Sequence, residues 1–371
     1  MSTLASVLDE MTAEGELCEK LPDGSVRCFA CAHCCLIREG KRGICQVRFN
    51  RGGLLRVPWG YVAGLQADPI EKKPFFHILS GSDALTFGML GCDFHCANCQ
   101  NWVSSQALRD PESEASIGFL RRISPEQMVT AAKRSGAKVI ASSYNEPLIT
   151  SEWAVSIFRL AQQDGLKCVY VSNGNATPEV LNYLRPYLAG YKIDLKTMQD
   201  QQYRKLGGVL ANVLDSILTA HTLGLWVEVV TLVIPGFNDS TEELMGAARF
   251  LVSVSPDIPW HVTAFHPDYK MTDSPPTPAA TLLRAAEIGQ EAGLHYVYAG
   301  NLPGRTKDYE NTSCPKCQAV LIERTGYTIR RYHLTAQGTC PQCGTLIAGI
   351  WTDRPEEVNI GGWGMPRRVG Y

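Results

Sequence analysis

Between residues 124 and 299 short apolar runs alternate with stretches of helical length, and this rhythm constrains the fold more than any other feature. Counting the run that precedes it, the apolar runs lie at residues 85–90, 138–142, 166–171, 191–195, 225–234, 260–265 and 296–299. Ser124-Pro125-Glu126-Gln127 and Thr177-Pro178-Glu179 each set a capping hydroxyl before a proline and an acid, the pattern that starts a helix. Further helices are expected at 153–163, 212–223, 241–253 and 278–292. Apolar strands separated by helices of about 10–15 residues make βαβ units around a parallel sheet. The class is α/β, with six units counted from Leu85 and a closing strand. Loops at the C-terminal ends of such strands converge, so functional groups should collect there.

Polar residues do stand at those ends. The second run is followed by Ser143-Tyr144-Asn145-Glu146-Pro147 and the third by Ser172-Asn173-Gly174-Asn175. In the fourth, Asp194 and Lys196 fall on one face at period two. The fifth leads into Ile234-Pro235-Gly236-Phe237-Asn238-Asp239, the sixth carries His261 and His266, and the last ends in Gly300-Asn301.

Directly after the first run, Cys92, Cys96 and Cys99 follow one another in C-x3-C-x2-C spacing. Three thiolates on one short loop can hold three irons of a [4Fe–4S] cluster and leave the fourth iron open for chemistry. A structural zinc ion takes four protein ligands, and an electron-transfer cluster takes four cysteines. Two more cysteine groups flank the repeating region. Cys28, Cys31, then Cys34 or Cys35, and Cys45 supply four soft ligands for a second metal site, either zinc or another iron–sulfur cluster. Of the two alternatives, Cys35 is taken as the candidate. The pairs Cys314-x2-Cys317 and Cys340-x2-Cys343 lie 22 residues apart and flank a hairpin turning at Gly326, the pattern of a zinc ribbon.

Composition narrows the partners. A formal charge of −2 without Lys/Arg runs leaves no electrostatic footprint for nucleic acid or an anionic membrane. No apolar run reaches membrane-spanning length, and residues 1–20 lack a secretory pattern. Fourteen cysteines in metal-ligand spacings fit reduced thiols in a cytoplasm. Residues 1–27 read as polar and loosely ordered, and 109–118 as a surface loop. Three regions are expected: 1–80, a Cys-rich segment and connector; 81–305, the repeating α/β domain; and 306–371, the zinc ribbon and tail.

The triplet after a first strand resembles the signature of the radical SAM (S-adenosylmethionine) superfamily. That resemblance implies a partial (β/α)6 barrel whose open iron binds SAM and, on reduction, yields a 5′-deoxyadenosyl radical that abstracts hydrogen from a substrate. It implies SAM contacts at Glu146, Asn173, Asp194 and Lys196, with His261 and His266 as further candidates. The residue before the third cysteine is usually aromatic in that family, whereas here it is Asn98, so Phe94 or Trp102 is expected beside the adenine. Asp194-Leu195-Lys196 and Ile234-Pro235-Gly236 resemble glycyl-radical activating enzymes. From about residue 28 to 351 the order of motifs resembles AmmeMemoRadiSam system radical SAM enzymes, a group similar to pyruvate formate-lyase activating enzymes. This implies a small-molecule or protein substrate, a one-electron donor of flavodoxin or ferredoxin type, and AMMECR-like and Memo-like proteins as partners. An alternative without catalysis, an Fe–S/zinc electron-transfer protein, would require fully ligated clusters.

Overall fold

A computed structural model describes residues 3–362 and 364–370. Seven parallel strands form its centre: β1 (Asp83–Gly88), β2 (Val139–Ser142), β3 (Lys167–Ser172), β4 (Gly190–Asp194), β5 (Trp226–Val233), β6 (Trp260–Ala264) and β7 (Val297–Gly300). They lie side by side in chain order, each in parallel register with the next. The crossovers are helices α1 (Pro125–Ser135), α2 (Ser151–Gln163), α3 (Pro178–Leu184), α4 (Leu210–Thr222), α5 (Thr241–Val254) and α6 (Ala279–Glu291). The strands are buried on both faces, as sheets covered by helices require, which is why they read as continuous apolar runs.

The helices begin where the capping residues stand. Ser124 Oγ accepts from the Gln127 N–H at 3.2 Å, and the Gln127 side chain accepts from the Ser124 N–H at 2.8 Å. Thr177 caps α3 in the same manner through the Val180 N–H. In α2 the buried residues Trp153, Ala154, Ile157, Phe158 and Ala161 recur at helical spacing. Each large apolar side chain so buried contributes about 1.5–3 kcal/mol.

At one edge of the sheet the antiparallel strand Gly64–Pro69 covers β1, and Arg367–Arg368 pairs outside it. The first 27 residues are ordered, contrary to the expectation. They form the helix Leu4–Glu10 and the strands Thr12–Glu14, Cys18–Lys20 and Val26–Cys28, and they bury Leu4, Leu8, Met11, Leu17 and Val26. Long-range contacts hold this segment: the N–H groups of Leu4 and Leu17 donate to Glu114 and Glu152. The expected surface loop at 109–118 is mostly the 3₁₀ helix Pro111–Phe119, with Ser113 and Ser116 buried. Arg48, three residues past Cys45, forms a two-pronged ion pair of 2.7 Å with Glu152 of α2, both side chains 1% exposed.

The C-terminal module has the strands Thr312–Ser313, Val320–Thr325 and Thr328–Tyr332 in one antiparallel sheet. It is fastened to the end of the barrel where the strands begin. Arg324 donates to the carbonyl of Phe76 at 3.0 Å and to Ser80 at 3.1 Å. Glu228, early in β5, accepts from the N–H groups of Phe76 and His77 and from the Trp226 indole.

Candidate functional site

The loop that leaves β1 is held by packing before any ligand is considered. Gly91 takes φ +95°, and a Cβ there would lie 2.9 Å from Val47. Next along the loop, Phe94 is 1% exposed and fills the space over Gly208, where a Cβ would come within 2.3 Å of its ring. His95 sits over Gly207 in the same way, and its N–H donates to the Leu206 carbonyl at 2.9 Å. Farther on, the Lys270 N–H donates to Ala97 at 2.9 Å. Between these anchors Cys92, Cys96 and Cys99 remain half-buried. Cys92 Sγ accepts from the Phe94 N–H at 3.4 Å, and Cys99 Sγ lies 3.1 Å from Ser105 Oγ.

Cys96 and Cys99 line a cavity of about 240 Å³ together with Asn98, Asp194, Lys196, Phe237, Thr263 and Asn301. The ends of β4, β5, β6 and β7 thus converge on the thiols. Asp194 lies between Lys192, with which it pairs directly, and Lys196 at 3.0 Å. Burial alone would raise the Asp194 pKa, but the two ammonium groups outweigh it and hold the carboxyl at about 2. For Lys196, burial opposes the charge, but Asp194 and Cys96 carry its pKa above the ordinary lysine value. The cavity therefore has a fixed anion and a fixed cation beside two thiols. A larger cavity of about 340 Å³ shares Gln100 and Asn301 with it and is walled by His266 and by Tyr327 from the C-terminal hairpin turn.

Beneath the thiols lies a buried polar hub that the sequence reading missed. Asp93 is fully buried and accepts from Asn173 Nδ2 at 2.7 Å and from Asn175 Nδ2 at 2.8 Å. Asn173 Nδ2 also approaches Cys92 Sγ at 3.9 Å. Glu146 is 2% exposed and accepts from the Leu148 N–H at 3.0 Å, Ser172 Oγ at 2.7 Å and the Asn173 N–H at 2.7 Å. Burial, and next the charge of Asp93, push its pKa up to about 8. The readable signal for Asp93 was a lone acid inside a cysteine loop. For Lys192 it was the period-two series Lys192, Asp194, Lys196.

The structure brings Glu146, Asn173, Asp194 and Lys196 together around the thiol loop, but not His261. His261 is the second residue of β6, where the strand begins, and not at its C-terminal end as the sequence reading had it. It is 2% exposed and 2.7 Å from Glu228, in the polar network below the barrel, and burial lowers its pKa. His266 is exposed at the rim, 2.8 Å from the Gln100 side chain. Phe94, buried over Gly208, does not face the cavity. Trp102 stacks on Tyr269 with ring centroids 5.1 Å apart.

The outer cysteine groups differ in geometry. Cys314 and Cys343 bring their sulfurs to 3.5 Å, and Cys317 and Cys340 to 3.6 Å. One tetrahedral zinc ion with Zn–S bonds of about 2.3 Å needs sulfur–sulfur edges of about 3.8 Å, so this donor set fits one. Among the described residues, this is the one group of three or more His, Cys, Asp or Glu whose ligand atoms all lie within 4.8 Å of one another. The triplet is more open. That suits a cluster, in which each thiolate sits on a different iron. Nearer the N-terminus Cys28, Cys31 and Cys45 are buried. Cys35 Sγ accepts from the Ile44 N–H at 3.4 Å, while Cys34 takes φ +43° and is half-buried.

Comparison with known proteins adds three findings. The profile of the Radical SAM superfamily matches residues 87–248. An uncharacterized protein of Methanocaldococcus jannaschii is 38% identical over 332 residues, which is 89% of this chain and 97% of that one. The isethionate sulfite-lyase activating enzyme of Desulfovibrio desulfuricans is 24% identical over 179 residues, 46% of this chain and 56% of that one. Among solved structures, a domain of pyruvate-formate lyase-activating enzyme from Bacteroides vulgatus aligns with a TM-score of 0.39 and 18% identity, over 43% of this chain and 98% of that one. Streptococcus suis SuiB bound to precursor peptide SuiA aligns with a TM-score of 0.45 and 14% identity, over 62% of this chain and 51% of that one.

Proposed function

The chain belongs to the radical SAM superfamily, and from that premise we propose that it abstracts a hydrogen atom from a substrate held at the C-terminal mouth of its barrel. One observation carries the reading: the thiols of Cys96 and Cys99 open onto the same cavity as Asp194 and Lys196, with Cys92 on the same anchored loop. Cys92, Cys96 and Cys99 would hold a [4Fe–4S] cluster. When bound, that cluster supplies one electron that cleaves a C–S bond of SAM, giving methionine and the 5′-deoxyadenosyl radical.

The protein's own residues bind, orient and exclude. Lys196 offsets the negative charge that three thiolates would bring together. Asp194 presents a carboxylate at the cavity wall that stays ionised at neutral pH, suited to an ammonium or a ribose hydroxyl of SAM. Glu146 already receives three donors from the chain. It acts through Asn173, fixing the amide that reaches Asp93 and Cys92, as a positioning residue. Phe237 and the apolar ends of β5 keep water from the cavity. The adjoining cavity walled by His266 and Tyr327 is the substrate's place, so the C-terminal module forms part of its boundary.

The motif order supports placing the chain with the AmmeMemoRadiSam system, and with it AMMECR-like and Memo-like partners, a zinc ion in the ribbon and a cytoplasmic setting. No described helix is long and apolar enough to cross a membrane. A second reading, activation of a glycyl-radical enzyme, draws support from the 24% identity to the isethionate sulfite-lyase activating enzyme and from Asp194-Leu195-Lys196. In that case the substrate is a glycine-bearing loop of a protein.

The test is anaerobic reconstitution with iron and sulfide, addition of dithionite and SAM, and mass-spectrometric assay of 5′-deoxyadenosine. The Cys92/Cys96/Cys99→Ala variant is run beside it. Product from the wild type alone is the expected result. No product from a wild type that demonstrably holds iron and SAM, with and without candidate partners, would overturn the reading.

A further inference from the structure

The N-terminal thiols have no part in the chemistry above, yet the fold gathers them against it. Cys28, Cys31 and Cys45 are 4–5% exposed. The Cys28 N–H donates to the Cys35 carbonyl at 2.9 Å, and Gly43 leaves a gap in which a Cβ would lie 3.6 Å from Cys35 Sγ. Cys31 lies within electrostatic reach of Cys28 and Cys45, and Cys35 within reach of Cys28. Four thiols thus share one small region with little apolar chain to justify their burial. Cys34 is turned elsewhere, toward Arg27 and Glu179.

Their spacing separates two metals. These four sulfurs do not close to within 4.8 Å of one another, as those of the C-terminal module do. A single zinc ion would require that closure. A four-iron cluster sets each thiolate on its own iron and accepts the wider arrangement. The barrel triplet has the same open spacing, so the N-terminal group resembles the triplet and not the ribbon.

The two open groups are also joined. Asp93, the neighbour of Cys92, lies within electrostatic reach of both Cys31 and Cys35. Gly91 is pressed against the Cys45 carbonyl, where a Cβ would stand at 3.1 Å. Arg109 donates to the carbonyls of Ile44 and Phe94, one from each loop. The Ala32 N–H donates to Asn175 at 2.9 Å, and the Asn175 side chain holds Asp93. Thr177, at the start of α3, donates to the Phe29 carbonyl at 2.6 Å.

We propose that Cys28, Cys31, Cys35 and Cys45 hold a second iron–sulfur cluster that delivers electrons, one at a time, to the cluster of the barrel loop across the Asp93 contact. The relay rests on the radical SAM reading above; the second cluster itself does not. The balance is simple. A reduced flavodoxin- or ferredoxin-type donor loses one electron, the second cluster gains it and passes it on, and no bond or proton moves.

The experiment uses the full-length chain, reconstituted anaerobically. Iron, acid-labile sulfide and zinc are counted, and electron paramagnetic resonance spectra are taken after dithionite reduction. About eight irons are expected in the wild type and about four in each of two variants, Cys92/Cys96/Cys99→Ala and Cys31/Cys45→Ser. The half-buried Cys35→Ser variant guards against misfolding of the double variant and should lose the same spectral component. A Cys92/Cys96/Cys99→Ala protein that is folded but holds no iron, or zinc at two ions per chain, would overturn the second cluster even if the wild type makes 5′-deoxyadenosine. A wild type with two clusters and no 5′-deoxyadenosine would instead sink the radical SAM reading. For the relay, Cys35→Ser should make 5′-deoxyadenosine normally with dithionite but about tenfold more slowly with reduced flavodoxin. Equal rates with flavodoxin would overturn it.

Discussion

The ribbon and the barrel loop both present cysteines, but they hold them for opposite reasons. In the ribbon the four sulfurs converge, with the two closest pairs at 3.5 and 3.6 Å, around a module with a small apolar core of its own. There the bound metal would be part of the folding energy. In the barrel loop the sulfurs stay apart, and ordinary packing sets their positions. Phe94 and His95 are seated over two glycines, and a buried carboxylate is gripped by two asparagines. A site built to fold closes on its ion. A site built for chemistry is rigid beforehand and leaves a ligand position free.

The largest test of this contrast removes each set in turn. Cys92/Cys96/Cys99→Ala should abolish 5′-deoxyadenosine formation while leaving one zinc per chain and a cooperative thermal transition, read by mass spectrometry, metal analysis and calorimetry. Loss of the ribbon's zinc in that variant would mean that the two sites are not independent. Next in size, Cys314/Cys340→Ser should unfold the ribbon and loosen the Arg324 contacts at the barrel floor. Proteolysis within residues 312–350 should become fast, while the cluster's absorbance persists.

A smaller effect is expected from Glu152→Gln, which leaves Arg48 without its carboxylate in a site 1% exposed. Removing one partner of a buried pair costs about 3–5 kcal/mol, measurable by urea unfolding, and should loosen the N-terminal segment before the barrel. Gly208→Ala would push Phe94 from its seat. Overpacking of that kind costs about 1–3 kcal/mol. It should accelerate cluster loss to a chelator without affecting zinc, so equal loss at both sites would break the comparison. Smallest of all, Ser105→Ala removes one hydrogen-bonding partner from Cys99, an effect of about 1 kcal/mol. It should appear as a shifted cluster potential with the fold unchanged.

The parallel strands, their helices and the three thiols could be read directly, because periodicity and caps are local properties and a cysteine spacing is a statement about one loop. The ribbon was equally plain from its two C-x2-C pairs. Residues 1–27 misled, because Leu4, Leu8, Leu17 and Val26 are scattered among polar residues and are buried by elements more than a hundred positions away, such as those carrying Glu114 and Glu152. His261 misled by register. It stands at the second position of its strand, and the strand's first residues point the reader to the barrel floor once its start is known. Phe94 looked free to meet a ligand because nothing near it in sequence reveals that Gly207 and Gly208 make room for it.

What the sequence determined by itself is therefore the α/β class, the strand order and the kinds of ligand atoms each segment can offer. These follow from side-chain chemistry repeated at fixed periods. What only the tertiary structure decided is which ligand atoms meet. Asp93 lies between two cysteine groups whose nearest members, Cys45 and Cys92, are far apart along the chain. Whether four sulfurs close on one ion or stand open is a matter of distances across folded segments, and no spacing along a chain contains those distances.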